Sequence, residues 1–305
     1  MAKISVFAPA TIANLGPGFD VLGMAVEGAG DVFTVELING ASVVEEIRGK
    51  DSDKVPLDPR INATVVAAEA FLASKNIRSG IRLWSERSLP ISGGMGSSAA
   101  ASTGGALAAA LAAGVPFSDD DVLRAALAGE SLVAGRHLDN IAPCFYGGLV
   151  AVQSTEPPVV QKLPLASGFK CIVVAPELQL ATKTARAVLP DSLPTARWTR
   201  QMALAVGLAV GLSTGNEKMI RESLQDPFAE AGRAHLIPNF SKVKTAAIEA
   251  GALGCSISGA GPSVFALVDS RQDAESIADA MVKGFLPVAA QARVCEISNQ
   301  GARKI

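Results

Sequence analysis

The segment PISGGMGSSAAAS, residues 90–102, constrains the fold more than any other part of the sequence. Its three glycines precede a long run in which nearly every side chain is Ala, Gly, Ser or Thr. The spacing predicts a helix over residues 98–113. A helix with such small side chains must be packed closely by its neighbours, so we expect it to lie in the core.

The glycine-rich loop and the start of this helix have the composition of an anion site. Gly93, Gly94 and Gly96 allow several bare backbone N–H groups to converge at a helix N-terminus. The helix dipole contributes only about 1 kcal/mol, so tight phosphate binding needs those donors together with the hydroxyls of Ser97 and Ser98.

Three interpretations of this loop compete. A Walker A loop needs a lysine directly before the Ser/Thr, and Gly96 occupies that position, so this class is excluded. A dinucleotide fingerprint is formally matched by Gly94, Gly96 and Ala99, and acidic residues follow about twenty positions later. Those acidic residues, 119–121, are predicted to begin a helix rather than end a second strand. A purely structural glycine-rich helix cap stays open at this point.

The order of the predicted elements indicates an α+β fold. Strands alternate with helices and several are joined by tight turns, which favours helices on one face of a mostly antiparallel sheet. The 305 residues are enough for about two domains, and the Glu-Pro-Pro sequence at residues 156–158 is a natural boundary. We therefore expect domains at residues 1–155 and 156–305.

The pattern of apolar residues and turn formers locates these elements along the chain. Residues 9–26, rich in glycine and proline, are expected to form a specially shaped loop between the first two strands. The predicted strands are residues 3–8, 31–37, 81–85, 149–153, 170–175, a pair around 256–268, and 292–296. The predicted helices are residues 62–75, 98–113, 119–127, 182–189, 197–212, 216–223, 240–249 and 273–283.

Charge and cysteine content exclude several classes of protein. With 27 Lys+Arg against 29 Asp+Glu, the net charge of -2 gives no attraction to nucleic acid or to an anionic membrane. The four cysteines form no C-x-x-C pair and only two histidines are present, so neither a disulfide framework nor a zinc site is indicated. Unpaired thiols and the absence of a charged, apolar leader predict a cytoplasmic protein. A homodimer stays open.

Three separated motifs resemble those of the GHMP kinase superfamily, named for galacto-, homoserine, mevalonate and phosphomevalonate kinases. They are APATIANLGPGFDVLG (residues 8–23), PISGGMGSSAA (90–100) and SISGAGPSVFAL (256–267). The chain is most similar to the homoserine kinase branch, on the segments ANLGPGFDVLG (13–23), HLDNIAPCFYGG (137–148) and Arg233 with LIPNF (236–240). One departure is Met95 where the superfamily usually has leucine, an exchange that conserves volume.

This resemblance implies a two-domain ATP-dependent kinase. The N-terminal domain would be like ribosomal protein S5 domain 2 and the C-terminal domain ferredoxin-like, with ATP between them. Mg²⁺, which prefers oxygen ligands and bridges phosphates, would be shared by Ser98 and Glu130. The resemblance implies an ATP site formed by Asn62, Pro90, Ile91, Ser92, Gly93, Gly94, Met95, Gly96, Ser97, Ser98, Ala99, Ala100, Gly259 and Gly261.

The resemblance also implies an amino-acid substrate, L-homoserine, whose side-chain hydroxyl accepts the phosphoryl group. Guanidinium groups can bind its carboxylate bidentately, and Arg186 and Arg233 are the candidates. Thr182 lies four residues before Arg186 and would share its face if that segment is helical. The remaining candidates for substrate binding are Asn14, Asp20, His137 and Asn140.

Each candidate also has a plainer interpretation. Asn14 and Asp20 are common turn formers that bond to their own backbone, and His137 could be a satisfied core histidine. Glu130 could be a solvated residue near a helix end. The glycines of the third motif could form only a tight strand connection.

Two further questions concern activity. Asp139 stands in an Asp-Asn pair similar to the Asp-Asn or Asp-Gln pair in which wider superfamily members place a catalytic aspartate. Because the resemblance to homoserine kinases implies that such a base is absent, the role of Asp139 as a base is contested. The alternative functions are another kinase of the superfamily, acting on mevalonate or shikimate, and a non-catalytic nucleotide-binding protein on the same scaffold.

Overall fold

A computed structural model describes residues 3–305 of the chain. Its strands form two separate sheets, one of seven strands and one of four. The strands are β1 (Ile4–Ala13), β2 (Leu22–Ile38), β3 (Val43–Gly49), β4 (Gly80–Arg87), β5 (Leu149–Thr155), β6 (Pro158–Leu163), β7 (Phe169–Pro176), β8 (Gly254–Ile257), β9 (Val264–Asp269), β10 (Ala290–Glu296) and β11 (Arg303–Lys304).

Ten α-helices connect or cover these strands in the described part of the chain. Between residues 3 and 305, none of them is both long and apolar enough to span a membrane. The helices are α1 (Ala63–Ser74), α2 (Ser97–Ala113), α3 (Asp119–Val133), α4 (Ile141–Tyr146), α5 (Thr182–Ala187), α6 (Thr195–Thr214), α7 (Glu217–Ser223), α8 (Ala229–Arg233), α9 (Phe240–Glu249) and α10 (Ala274–Phe285).

The larger sheet has the order β11-β1-β2-β4-β3, and β5 pairs with both β2 and β6. Only β3 and β4 are parallel, so the sheet is mostly antiparallel. Helices α1, α2 and α3 pack against one another, and α2 packs on β1 and β2. Thirteen of the seventeen α2 residues are buried. The small side chains of α2 allow these close approaches, as its sequence predicts.

The smaller sheet is antiparallel with the order β10-β7-β9-β8. Helices α9 and α10 pack together, and their apolar faces form a second core with this sheet around Phe240, Val243, Met281 and Phe285. Two sheets, each with its own helical layer, confirm the predicted α+β class.

The predicted elements are mostly confirmed, with one clear error in the first motif. The segment 9–26 is not one long loop, because β1 continues to Ala13 and β2 begins at Leu22, and a register shift between Pro9 and Ala10 admits the proline. Strands β3, β6 and β11 were not predicted. The boundary at residue 155 stays a prediction, although β6 and β11 both pair within the larger sheet.

Candidate active site

A cleft runs past the loop that precedes α2, and the first and third motifs also contribute to it. Gly96 is the N-cap residue of α2, with a φ of +69° and no side-chain cap on the first N–H groups. A Cβ at this position would lie 2.0 Å from Thr11 Oγ1, so only glycine fits. The uncapped N–H groups of α2 are therefore donors that the protein itself leaves open to an anion.

Two serine hydroxyls of the third motif donate hydrogen bonds to carbonyl groups of the glycine-rich loop. The Ser258 hydroxyl donates to Gly94 O at 2.5 Å, and the Ser263 hydroxyl donates to Gly93 O. With these carbonyls engaged on one side, the loop's backbone has a defined orientation. The third motif is thus more than a strand connection, since it contacts the loop directly.

Arg87 is a buried cation of the cleft that the sequence analysis missed. Its Nε lies 2.8 Å from Asp31 Oδ2, and the two side chains are only 5% and 0% exposed. Its Nη2 donates to Ser97 Oγ at 2.6 Å, at the first residue of α2. Burial raises the pKa of Asp31, and the Arg87 charge counteracts that effect. The end of β4 is therefore joined electrostatically to the start of α2.

Two other contributions to the site were also missed. Thr11, in the first motif, donates from Oγ1 to Asn140 Oδ1 at 2.8 Å, which links β1 to the residue before α4. The segment before α1 lines the cleft with Lys54, Val55 and Pro56. Thr11 was within a quoted motif, but nothing in the sequence distinguishes it from its apolar neighbours.

Ser98 and Glu130 meet inside the cleft. The Ser98 hydroxyl donates to Glu130 Oε1 at 2.8 Å, while the other carboxylate oxygen, Oε2, is buried without a hydrogen-bond partner. Glu130 is only 3% exposed and lies within α3, which extends to Val133, so its interpretation as a solvated residue is wrong. Burial raises the pKa of Glu130 to about 8, against the hydrogen bond from Ser98, and the charge of Asp139 adds to the increase.

A buried, raised-pKa carboxyl should make the free protein less stable as pH increases. Glu130 and Asp139 have ordinary pKa values of 4.5 and 3.8 and folded values of about 8 and about 7. Between these limits the folded state binds more protons than the unfolded state, so each group lowers the free energy of unfolding by up to about 1.4 kcal/mol per pH unit.

We expect urea unfolding without nucleotide, in EDTA, to show decreasing stability from pH 5 to pH 8. The Glu130→Gln variant should have a shallower slope and exceed the parent protein in stability at pH 8. A parent protein whose stability rises over this range, or an unchanged slope in the variant, would contradict the burial of a protonated Glu130.

Asp20 and Arg186, which both line the cleft, form a bidentate pair. Arg186 donates from Nη1 and Nη2 to the two carboxylate oxygens at 3.1 and 2.5 Å, and its Nε is buried without a partner. Asn14 Oδ1 accepts from Asp20 N at 3.0 Å, which agrees with the turn-former interpretation. However, Asn14 Nδ2 also donates to Gly259 O at 2.8 Å, so this side chain connects the first and third motifs.

Arg233 lies beside this pair and is almost completely buried, with 2% exposure. Its Nε donates to Ala185 O at 2.8 Å and its Nη1 to Gly259 O at 3.2 Å. These bonds leave further N–H donors of the guanidinium, which has five in all. Burial and the neighbouring Arg186 charge lower the pKa of Arg233 to about 10, so it remains a cation near neutral pH.

The other predicted substrate residues also line the cleft. Thr182 and Arg186 do so from the same short helix, α5. His137 Nδ1 is 3.7 Å from Asp20 Oδ2, and burial is the main cause that lowers the pKa of His137, so it is neutral near pH 7. Asp139 is 4% exposed, and burial, followed by the Asp20 charge, raises its pKa to about 7.

The predicted nucleotide residues divide into two groups. Those lining the cleft are Asn62, Ile91, Ser92, Gly93, Gly94, Gly96, Ser97, Ser98, Gly259 and Gly261. The side chains of Met95, Ala99 and Ala100 are buried in the core, and Pro90 and Met95 line a neighbouring cavity. Asn62 uses its amide for local bonds, accepting from Thr64 N and Val65 N and donating to Pro56 O. It therefore shapes the cleft as the N-cap of α1.

The cleft contains one group of residues that suits an anion and another that suits a zwitterion. The first group is the uncapped N-terminus of α2 with a carboxyl–hydroxyl pair, Glu130 and Ser98. The second group has two arginines and two carboxyls, which together can bind a carboxylate and an ammonium group. Such a cleft can hold a phosphate donor and a small amino acid side by side.

Comparison with known proteins agrees with this chemistry. Residues 62–148 match the family model of the GHMP kinases N terminal domain, and residues 208–287 match that of the GHMP kinases C terminal. Homoserine kinase of Arabidopsis thaliana is 37% identical over 99% of this chain and 85% of its own length. That of Pyrococcus furiosus is 39% identical over 92% of this chain and 93% of its own length.

Solved structures give the same result. The crystal structure of homoserine kinase from Cytophaga hutchinsonii superposes with a TM-score of 0.94 at 38% identity, covering 100% of this chain and 98% of that one. Lactococcus lactis galactokinase, 14% identical with a TM-score of 0.73 over 99% and 95% of the two chains, shares the fold alone. The chain belongs to the GHMP kinases, and within them to the homoserine kinases, which are ATP-dependent kinases that act on a hydroxyl group.

Proposed function

We propose that this protein transfers the γ-phosphoryl group of ATP to the side-chain hydroxyl of L-homoserine, giving O-phospho-L-homoserine in threonine biosynthesis. The observation that carries the proposal is a single cleft that joins an uncapped helix N-terminus to a pair of arginines. The first feature suits a polyphosphate and the second a carboxylate. The homoserine kinases to which the chain is related support the choice of acceptor.

The nucleotide is proposed to bind with its phosphates on residues 90–100. The backbone N–H groups at the start of α2 and the hydroxyls of Ser97 and Ser98 would donate to phosphate oxygens. Gly259 and Gly261, which line the cleft from the third motif, would cover the phosphates. Asn62 would act by shaping the pocket at the start of α1, since its own amide is already engaged.

The residues present fit a magnesium ion that accompanies the nucleotide. Glu130 Oε2 is a buried oxygen without a partner, and the Ser98 hydroxyl is 2.8 Å from its sister oxygen. Mg²⁺ is commonly held by one or two carboxylates together with phosphate oxygens, so Ser98 and Glu130 would hold it here. When bound, it would neutralise charge on the transferred phosphate.

The amino acid is proposed to bind by its two charged groups. Arg186 and Arg233 would hold the carboxylate, using the unpartnered Nε of Arg186 and the free N–H groups of Arg233. Asp20 would accept from the ammonium group. Asn14, His137, Asn140 and Thr182 would line the rest of the substrate pocket. Binding both ends fixes the hydroxyl relative to the phosphate, and positioning of this kind lowers the barrier to transfer.

We further propose that no dedicated base removes the hydroxyl proton. Phosphoryl transfer passes through a loose transition state in which that proton can leave late. The contested alternative is that Asp139 acts as the base, since it lines the cleft and burial raises its pKa to about 7. Under our proposal, Asp139 mainly orients Asn140 and its loop.

Location and assembly are further proposals. The four cysteines are free and buried, which suits a reducing compartment such as the cytoplasm. Homodimer formation stays a proposal, and sedimentation equilibrium of the purified protein measures it directly.

A coupled assay of ADP release tests the proposed function. Homoserine, mevalonate, shikimate and galactose are offered side by side, with and without Mg²⁺. We expect strong Mg²⁺-dependent turnover with homoserine alone. Equal or better activity with mevalonate or shikimate would assign the protein to another kinase class, and no turnover with any acceptor would favour a nucleotide-binding role.

The Arg233→Lys variant should weaken binding of homoserine more than binding of ATP. A lysine ammonium cannot reproduce a bidentate fork. The expected loss is about 1 to 3 kcal/mol, the worth of a hydrogen bond to a charged group. Steady-state kinetics should show it as a rise in the KM for homoserine, with a small change in the KM for ATP.

A matched control is Arg221→Lys, because Arg221 also donates to a backbone carbonyl, Ala252 O at 2.9 Å, but does not line the cleft. It should change neither KM. If Arg233→Lys instead raises the KM for ATP and leaves that for homoserine unchanged, Arg233 belongs to the nucleotide site.

A further inference from the structure

Phe19, in the loop between β1 and β2, places one aromatic ring beside both arginines of the cleft. The central carbon of the Arg186 guanidinium lies 5.1 Å from the ring centroid, and that of Arg233 lies 5.3 Å from it. Both distances are within the roughly 6 Å over which a ring face attracts a cation. One half-buried ring therefore contacts two like charges at the same time.

The Phe19 ring attracts the two arginines without occupying their N–H donors, which additional carboxylates would do. Two neighbouring guanidinium groups repel each other, and the charge of Arg186 contributes to the lowered pKa of Arg233. A ring face attracts both cations without accepting any of their N–H hydrogens in conventional hydrogen bonds. The donors that face the cleft therefore remain available to a ligand.

The Phe19 ring also contacts a second aromatic ring. Phe19 packs edge-to-face on Phe228, with centroids 5.0 Å apart and an interplanar angle of 89°. Phe228 is the residue before α8, the helix that ends at Arg233. Asp20, which follows Phe19 in the chain, binds the edge of Arg186. One loop thus supplies both the ring and the carboxylate that orient Arg186.

We propose that Phe19 is a positioning residue for the carboxylate of the amino-acid substrate. Its ring holds the guanidinium groups of Arg186 and Arg233 beside each other, so that their remaining N–H groups converge on one carboxylate. The inference rests on the proposed function, because it takes these arginines as the carboxylate site. Phe19 acts through the arginines and touches no reacting atom.

The test compares Phe19→Leu, which keeps apolar bulk but removes the ring, with Phe19→Tyr, which keeps a ring face. Kinetics are measured with L-homoserine, and 3-aminopropan-1-ol is measured as a competitive inhibitor. This amine has a hydrogen in place of the homoserine carboxylate. For Phe19→Leu we expect the KM for homoserine to rise about 5- to 30-fold. The inhibition constant of the amine and the KM for ATP should stay within about twofold.

The Phe19→Tyr variant should restore the KM for homoserine to within about threefold of the parent value. Phe228→Leu is the matched control, because it removes the edge-to-face contact with Phe19 but leaves the Phe19 ring beside the two guanidinium groups. It should lower thermal stability as much as Phe19→Leu does, with a much smaller effect on the KM for homoserine.

Other outcomes would overturn the inference. If Phe19→Leu weakens the amine and homoserine equally, or leaves the KM for homoserine unchanged, the ring has only a structural role. Should Phe19→Leu fail to fold, replacing the Phe19 ring by its 3,4,5-trifluoro form keeps the shape and weakens the cation contact. That protein must then show the same selective rise in the KM for homoserine. Absence of homoserine turnover in the parent protein would instead refute the proposed function.

Discussion

The Glu130→Gln variant is expected to lower kcat by at least about 10³-fold, whereas Asp139→Asn lowers it by less than about 10²-fold. Glutamine keeps the size of the side chain and an oxygen for the Ser98 hydroxyl, but it removes the negative charge that a metal requires. Loss of the metal carboxylate disturbs both the cation and the phosphates that it orients. Removal of a general base typically costs about 10²- to 10⁴-fold, and our account assigns no such base to Asp139.

Both variants must be folded by circular dichroism, and each kcat is measured at saturating ATP and homoserine. A pH profile of kcat/KM adds a second readout, because this ratio reports groups of the free enzyme, where the pKa of Asp139 is raised to about 7. A base at Asp139 would give kcat/KM an inflection in that range that Asp139→Asn removes. Should Asp139→Asn be the more damaging change while homoserine still binds normally, transfer without a base is wrong, and Asp139 is the catalytic base.

The Arg87→Met variant is expected to lose roughly 3–5 kcal/mol of unfolding free energy, the usual cost of removing one partner of a buried ion pair. The Asp31 carboxylate, which is 0% exposed, would keep its backbone donors at Ser88 and Leu89 but lose the Arg87 cation. Ser97 would lose its donor at the same time. Urea unfolding at pH 7 measures the loss of stability. The KM for ATP should also rise, because Ser97 begins α2, where the phosphates are proposed to bind.

The matched control is Arg48→Met. Arg48 Nε lies 2.6 Å from Glu46 Oε1, but these side chains are 69% and 42% exposed, so this change should cost less than about 1 kcal/mol. The double variant Arg87→Met with Asp31→Leu should recover part of the stability, since no unpaired charge remains buried. If Arg87→Met costs no more than Arg48→Met, the buried pair does not stabilise the loop.

Much of the fold was predictable because local patterns agree with the tertiary packing. Helix α9 has the predicted bounds, and the predicted start of α2 at residue 98 differs by one residue from the observed start at Ser97. The glycine-rich loop was recognisable as an anion site because its glycines expose backbone N–H groups directly before a helix. The extension of β1 through Pro9 was not predictable locally, since proline normally ends a strand and only the register shift accommodates it.

The parts of the site that were missed depend on contacts between residues distant in the chain. Arg87 resembles any solvated arginine until β2 brings Asp31 beside it. The role of Thr11 depends on its hydrogen bond to Asn140, a residue distant in the sequence. Asn62, by contrast, was expected at the nucleotide pocket and at the start of a helix, and in the structure it lines the cleft as the N-cap of α1.

The most direct test of the account is a crystal structure of the protein with a non-hydrolysable ATP analogue, Mg²⁺ and L-homoserine. We expect the triphosphate on residues 90–100 with its metal beside Ser98 and Glu130. The homoserine carboxylate should lie on Arg186 and Arg233, and its hydroxyl should face the γ-phosphate. A homoserine carboxylate bound away from both arginines, or phosphates bound away from the N-terminus of α2, would contradict the account.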